Sequence, residues 1–132
     1  MSGKIAASGN IQTLLKADGS RTDAPEYCYN SMFWKCSSLT TAPALPATTL
    51  ASNCYWGIFN STSLVTAPAL PATTLASDCY DGMFANCASL TTAPALPATT
   101  LAGSCYYSMF DGCTSLTTVP ALPATTLASS CY

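Results

Sequence analysis

Hydrophobic and polar positions recur with a fixed period from Cys28 to the last residue. Successive units open on a Cys-Tyr pair, with spacings of 26, 25, 26 and 26 residues, at Cys28, Cys54, Cys79, Cys105 and Cys131. The shared pattern is C-Y-x-x-M-F-x-x-C-x-S-L-T-T-A-P-A-L-P-A-T-T-L-A-S-x. The second unit is one residue short before Ser63, and we assign Ser61 to the place of the second cysteine. Because so small a unit cannot bury its own apolar face, the pattern predicts that the units stack.

The first part of each unit has the pattern of a short helix. Serine occupies the expected N-cap position in three units, at Ser52, Ser77 and Ser129. The apolar residues of the third unit fall on one helical stripe, made of Cys79, Tyr80, Met83 and Phe84. Asn86 and Gly112 tolerate a left-handed backbone, so we expect the helix to end there.

The rest of each unit favours extended backbone. The sequence Ser-Leu-Thr-Thr-Ala is β-prone, and a strand must end at the proline that follows it, at Pro43, Pro68, Pro94 and Pro120. The remaining Pro-Ala-Leu-Pro-Ala-Thr-Thr-Leu-Ala is typical of polyproline-like chain. The prediction is therefore a leucine-rich-repeat-like repeat solenoid, each coil made of a short helix, a short β-strand and an extended Pro-rich return.

The pattern also divides the chain. Residues 1–26 do not match the unit, and their charged, atypical sequence predicts an N-terminal capping segment. Four apolar residues are expected to pack it on the first coil, namely Ile5, Ile11, Leu14 and Leu15. Residues 27–132 are predicted to form the solenoid, with four 26-residue repeats and the start of a fifth.

Charge and residue types exclude several functions. Only 8% of residues are charged, the net charge is −2, and all four cations lie in the first 35 residues, so no basic surface for nucleic acid is expected. The chain has no histidine, and no nucleophile has a base beside it, so we expect no enzyme and no cofactor. No apolar run reaches the length of a membrane span, and the N-terminus shows no signal peptide.

The eight cysteines have two interpretations. Their C-x7-C spacing within a unit is unlike a zinc site, so no metal is predicted. A bridge across a helix of seven residues would have to span about 10 Å, beyond the ~4.4–6.8 Å that a disulfide allows between Cα atoms. We therefore interpret the cysteines as columns of buried thiols, with disulfides as the alternative, at Cys28, Cys54, Cys79, Cys105, Cys36, Cys87 and Cys113.

The opening Cys-Tyr pair and the variable positions after it provide a candidate binding surface. The tyrosines recur with the period and are expected to pack between coils with the hydroxyl in water; an aromatic column that stacks on sugars is the functional alternative. Variation on a fixed frame is where a repeat protein places specificity. The candidate surface residues are Tyr55, Trp56, Tyr80, Asp81, Tyr106 and Tyr107.

Threonine pairs recur twice in the pattern and raise the possibility of an ice-binding surface. Neighbours on a regular strand point to opposite faces, so only one threonine of each pair should face outward. A single column is not the two-wide array that ice requires. Selection of threonine for extended structure and solubility is the preferred interpretation.

The segments Met32–Thr40, Met83–Thr91 and Met109–Thr117 resemble the bacterial surface protein 26-residue repeat, the leucine-rich-repeat family typified by BspA-like adhesins. The resemblance covers residues 28–132. It implies a non-enzymatic surface or secreted protein, bacterial or from a phage tail, that binds host matrix, cells or glycans, although this chain shows no signal peptide.

Two functions follow as hypotheses. The first is a repeat protein that presents a surface for protein or glycan binding. The second is a self-assembling structural protein that forms head-to-tail solenoid filaments through an apolar end at Cys131 and Tyr132. Ice binding through threonine columns is a further alternative.

Overall fold

A computed structural model describes residues 3–16 and 19–132. Its regular elements are β1 (Ile5–Ala6), a 3-10 helix (Ile11–Leu14), β2 (Asp23–Ala24), β3 (Leu39–Thr41) and β4 (Thr49–Leu50). The described residues contain no α-helix. The predicted leucine-rich-repeat-like solenoid, with a helix in each coil, is therefore wrong.

The segments predicted as helices are runs of tight turns, which we call turn segments (27–36, 53–62, 78–87 and 104–113). Every fourth residue of a turn segment has a positive φ, as at Asn53, Gly57 and Ser61 (φ 56°, 56° and 59°). A left-handed residue in each turn prevents the continuous right-handed backbone that an α-helix requires. Asn86 and Gly112 have the predicted left-handed backbone (φ 59° and 70°), but they are the last of three such positions and end no helix.

Backbone hydrogen bonds join each turn segment to the next one along the chain. Alternate amides donate to the following repeat: Tyr29 N–H to the Cys54 carbonyl (3.0 Å) and Phe33 N–H to the Ile58 carbonyl (3.0 Å). The amides between them donate three residues back, as Trp34 N–H does to Ser31 (3.0 Å). Each repeat is therefore a layer in a parallel stack, with its side chains in register with those of the next layer.

The extended parts of the repeats also pair in parallel. Strand β1 pairs with β3, and β2 pairs with β4, so β1 and β2 lie against the first repeat on the side opposite to the second. Beyond β4 the pairing is reduced to single bridges, at Thr49–Thr74, Thr66–Thr92, Thr92–Thr118 and Thr100–Thr126. Prolines limit these strands as expected, since β3 ends two residues before Pro43.

The core runs through the stack as columns of equivalent side chains. Of the four apolar residues expected to anchor the N-terminal segment, only Ile11 is buried, and Ile5, Leu14 and Leu15 are exposed. In the second and third layers the buried columns include a cysteine, a tyrosine, a phenylalanine and a leucine, at Cys54, Tyr55, Phe59, Leu64, Cys79, Tyr80, Phe84 and Leu90.

Candidate functional site

The tyrosines that open the repeats form a continuous stack, which is buried except at Tyr132. Ring centroids of neighbours in the column are 5.5–6.0 Å apart and the rings are nearly parallel, along Tyr29, Tyr55, Tyr80, Tyr106 and Tyr132. A parallel stack of phenylalanines has centroids 5.7–5.9 Å apart, along Phe33, Phe59, Phe84 and Phe110. The hydroxyls of Tyr55 and Tyr106 are buried without a hydrogen-bond partner in the described part of the chain, so they are not in water as the sequence predicted.

This burial removes three residues from the candidate binding surface. Tyr55, Tyr80 and Tyr106 are at most 4% exposed and have no ring face open to a ligand. Trp56 and Tyr107, by contrast, are 39% and 49% exposed. The tyrosine column is thus part of the core, and the exposed aromatic rings belong to the variable position after it.

The variable position forms its own column on the outside of the turn segments. The residue after the variable position donates its amide to the next layer: Gly57 N–H donates to the Asp81 carbonyl and Gly82 N–H to the Tyr107 carbonyl (both 2.9 Å). These bonds hold the column in register. Trp56, Asp81 and Tyr107 therefore lie on three successive layers, with the carboxylate between the two aromatic residues. We call these three residues the outer column.

Asp81 is tied to one of its aromatic neighbours. Partial burial raises the pKa of its carboxyl, and the charge of Asp78 adds to the effect, while a hydrogen bond from the Trp56 side chain opposes it. The outer column thus presents an exposed indole beside a carboxylate.

The exposed aromatic residue Trp34 was missed by the sequence reasoning. The amine of Lys35 lies 4.8 Å from the centroid of its ring, a cation–π contact on the first layer. Trp34 occupies the place of Asn60, Ala85 and Asp111 in the later repeats. Variation at that position was the available signal, because it is as large as at the outer column.

All eight cysteines are free thiols. Five are buried and three, Cys28, Cys36 and Cys113, are half-buried. Burial raises the pKa of the Cys28 and Cys113 thiols to about 11 and that of Cys79 to about 12, because a low-dielectric surrounding penalises the thiolate. Thiols held in the neutral form are weak nucleophiles and poor metal ligands.

The second thiol column corrects the alignment of the short repeat. Ser61 has the left-handed φ (59°) of Lys35, Asn86 and Gly112, so it is not the residue in the cysteine position. That position is filled by Thr62, which is buried, with its hydroxyl 3.3 Å from the Cys87 sulfur. The missing residue therefore falls after Thr62, where a shorter connection to Leu64 is tolerated.

The proposed assembly end has an apolar concave surface. Cys131 is buried and Tyr132 is 44% exposed, with its ring stacked on Tyr106. A cavity of about 610 Å³ opens beside it, lined by Met109, Phe110, Val119 and Leu122 among others. In this last layer the amides of Ser108, Phe110 and Gly112 have no hydrogen-bond partner among the described residues.

The threonine prediction is corrected as well. Both members of the second threonine pair are exposed in every repeat, whereas a regular strand would expose one. The amides of Thr48 and Thr49 both donate to the Thr22 carbonyl (2.8 and 3.3 Å), so two residues lie opposite one. This is the arrangement of a β-bulge, which breaks the alternation of side chains.

Within the described ranges, no three His, Cys, Asp or Glu side chains are grouped so as to hold a metal ion. No helix in the same part of the chain is long and apolar enough to cross a bilayer. No family model, curated protein or solved structure matches the chain, so the resemblance to the BspA-like repeat stays a prediction.

Proposed function

We propose that the protein is a non-enzymatic binding module whose outer column (Trp56, Asp81 and Tyr107) recognises a glycan. The observation that carries this proposal is the alternation of exposed aromatic rings with a carboxylate on three successive layers. Aromatic faces pack against the C–H surface of a sugar ring, and a carboxylate accepts hydrogen bonds from its hydroxyls.

The regular spacing of the layers and the order of the residues beneath the outer column support this function. The backbones of layers in parallel register are about 4.8 Å apart, so the backbones of Trp56 and Tyr107, two layers apart, are separated by about 10 Å. The residues beneath the column, such as Ile58 and Met83, are fully buried. A ligand would therefore meet a surface that is already ordered, and little entropy would be lost on binding.

A glycan array followed by titration calorimetry on the full chain tests the proposal. Trp56→Ala and Tyr107→Ala should each weaken the binding of a hit by about tenfold or more, as loss of a central aromatic contact does. Tyr27→Ala is the matched control, since Tyr27 is an aromatic residue off the outer column and is more exposed (59%) than Trp56 or Tyr107. Absence of any hit on glycans, or equal losses in all three variants, would refute glycan binding here.

Recognition of a protein by the same column is the alternative within this function. It predicts no glycan hit but a loss of binding to matrix proteins or cells in Trp56→Ala.

Filament formation is less well supported by the geometry. A copy stacked with its first turn segment on residues 104–113 would place its own β1 and β2 in the layer that residues 114–127 occupy, because β1 and β2 pair with β3 and β4 of the first repeat.

A further inference from the structure

The face formed by the second threonine pair of each repeat has features that the glycan proposal does not use. It consists of eight exposed threonines in two adjacent columns, which we call the threonine face: Thr48, Thr49, Thr73, Thr74, Thr99, Thr100, Thr125 and Thr126. Parallel bridges hold the columns in register, at Thr49–Thr74 and Thr100–Thr126.

Repeated bulges produce the double column. As with Thr48 and Thr49, the amides of Thr73 and Thr74 share the Thr48 carbonyl (3.2 and 3.4 Å), and those of Thr125 and Thr126 share the Thr99 carbonyl (3.0 and 3.3 Å). Where two residues lie opposite one partner, the alternation of side chains between the two faces of the strand is interrupted. This happens at the same position of the repeat in these layers. Both threonines of each pair therefore reach the surface side by side.

In the first and third repeats, the backbone under the threonine face is anchored on both sides. In the first repeat the pair lies between Ala47 and Leu50, and in the third between Ala98 and Leu101, all four of which are buried. Leu50 and Leu101 also donate their amides to the next layer, to the carbonyls of Thr74 (3.0 Å) and Thr126 (2.9 Å). A β-branched side chain on a fixed backbone has few rotamers, so the threonines of these two repeats are held rigidly.

The hydroxyls of this face are left to the solvent. The Thr48 hydroxyl donates to the Thr22 carbonyl (3.3 Å), and the other seven have no protein partner among the described residues. In the first threonine pairs, by contrast, the hydroxyls of Thr91 and Thr117 donate to carbonyls of the preceding layer (both 3.2 Å). The threonine face therefore combines free hydroxyls with methyl groups.

The face is also uncharged. From Cys36 onward the only charged residues are Asp78, Asp81 and Asp111, and all three lie in turn segments. A charge would hold a hydration shell with its own geometry, whereas hydroxyl and methyl groups permit water to order as a lattice requires.

We propose that the threonine face binds ice. A rigid, uncharged, two-wide array of hydroxyl and methyl groups matches an ordered water surface, and the columns adsorb to it through many weak contacts made together. This inference is independent of the glycan proposal, because it rests on other residues on a different part of each repeat.

The test is thermal hysteresis of the full chain, measured by nanolitre osmometry, with the shape of the ice crystals recorded. The wild-type protein should depress the freezing point below the melting point and give faceted crystals. Thr100→Tyr places a bulky ring in the middle of the threonine face and should reduce the hysteresis about tenfold, because contacts that act together are lost together.

Thr92→Tyr is the matched control, since Thr92 is an exposed, bridging threonine of the same repeat outside this face. It should retain the wild-type hysteresis. Matching circular dichroism melts of both variants would show that folding is preserved. Wild-type protein without hysteresis or crystal shaping, or equal losses in both variants, would overturn the proposal and leave glycan binding through Trp56 unaffected.

Discussion

The left-handed positions show how single residues determine the course of this chain. Each complete turn segment has three of them, and glycine, asparagine, aspartate or serine occupies most, including Gly82 and Asn86. Glycine adopts positive φ at no steric cost, and asparagine and aspartate adopt it more readily than other residues. Tyr27 and Lys35 are the exceptions in the first repeat (φ 55° and 60°).

Gly112→Ala should destabilise the protein more than Gly82→Ala. Both glycines have positive φ, so an alanine costs about 1–2 kcal/mol at either site. A Cβ at Gly112 would also lie 2.7 Å from the Asn86 side-chain oxygen and 3.3 Å from the Asn86 Cα, whereas one at Gly82 would have no contact shorter than 3.8 Å. Urea unfolding measures the difference, and equal losses would contradict the steric argument.

Two stacked tyrosines should respond oppositely to loss of the hydroxyl. The Tyr55 hydroxyl is buried and has no hydrogen-bond partner within residues 3–16 and 19–132, so Tyr55→Phe should leave stability unchanged or raise it by about 1 kcal/mol. The Tyr29 hydroxyl lies 3.1 Å from the Ile11 carbonyl and 3.0 Å from Gln12 Oε1, so Tyr29→Phe should cost about 1–2 kcal/mol. Thermal melts of the two variants compare them directly, and a loss at Tyr55 would contradict the prediction.

At the level of elements, the turn segment replaces the expected helix. An amphipathic stripe such as Cys79, Tyr80, Met83 and Phe84 is compatible with both structures, because a four-residue turn and a helical turn have nearly the same period. The decisive difference is the partner of each amide. In a turn segment half of the amides bond to another layer, and this bonding exists only after the layers have stacked.

The corrected alignment of the second repeat gives a test of the turn segment. In Thr62→Cys the new thiol should be buried beside Cys87 and react slowly with a thiol reagent in the native state. In Ser61→Cys the new thiol should be more accessible and react faster. The measurement is the native rate of labelling above the wild-type background, and faster labelling of Thr62→Cys would restore the original alignment.

For the molecule as a whole, stability depends on keeping the buried cysteine thiols and tyrosine hydroxyls protonated. Burial raises the pKa of Cys79 from 9.0 to about 12, that of Cys28 to about 11 and that of Tyr29 from 10.0 to about 12. The folded state therefore holds protons that the unfolded state has released at high pH. Such groups contribute stability below their unfolded pKa, and the contribution is lost as pH rises through the folded pKa.

The melting temperature under reducing conditions should therefore be nearly constant from about pH 7 to about pH 8.5 and fall steeply above about pH 9. Circular dichroism melts across this range measure it. Cys79→Ala removes one of the buried thiols and should show a shallower alkaline fall, although it is less stable at neutral pH. A melting temperature that stays constant to pH 11 would contradict the burial of the thiols.

Several features of this protein follow from its sequence alone. The period, the unit boundaries, the left-handed positions at Asn86 and Gly112, and the limit that Pro43 sets on β3 all follow from local residue chemistry. The buried state of Cys54, Cys79 and Cys105 followed from their apolar, periodic context. These properties depend on neighbours a few residues away in the chain, so the amino-acid sequence is enough to predict them.

Only the tertiary structure decided the rest. Whether the apolar stripe forms a helix or a turn segment depends on hydrogen bonds to residues about 26 positions away, such as that of Tyr29 to Cys54. Hydrogen bonds between repeats also place the tyrosines inside and Trp56 and Tyr107 outside, and they place Thr62 in the thiol column. The amides of Thr48 and Thr49 donate to one carbonyl of another layer. A residue's side-chain direction is set by the partner of its backbone, and in a stack of layers that partner lies in another repeat.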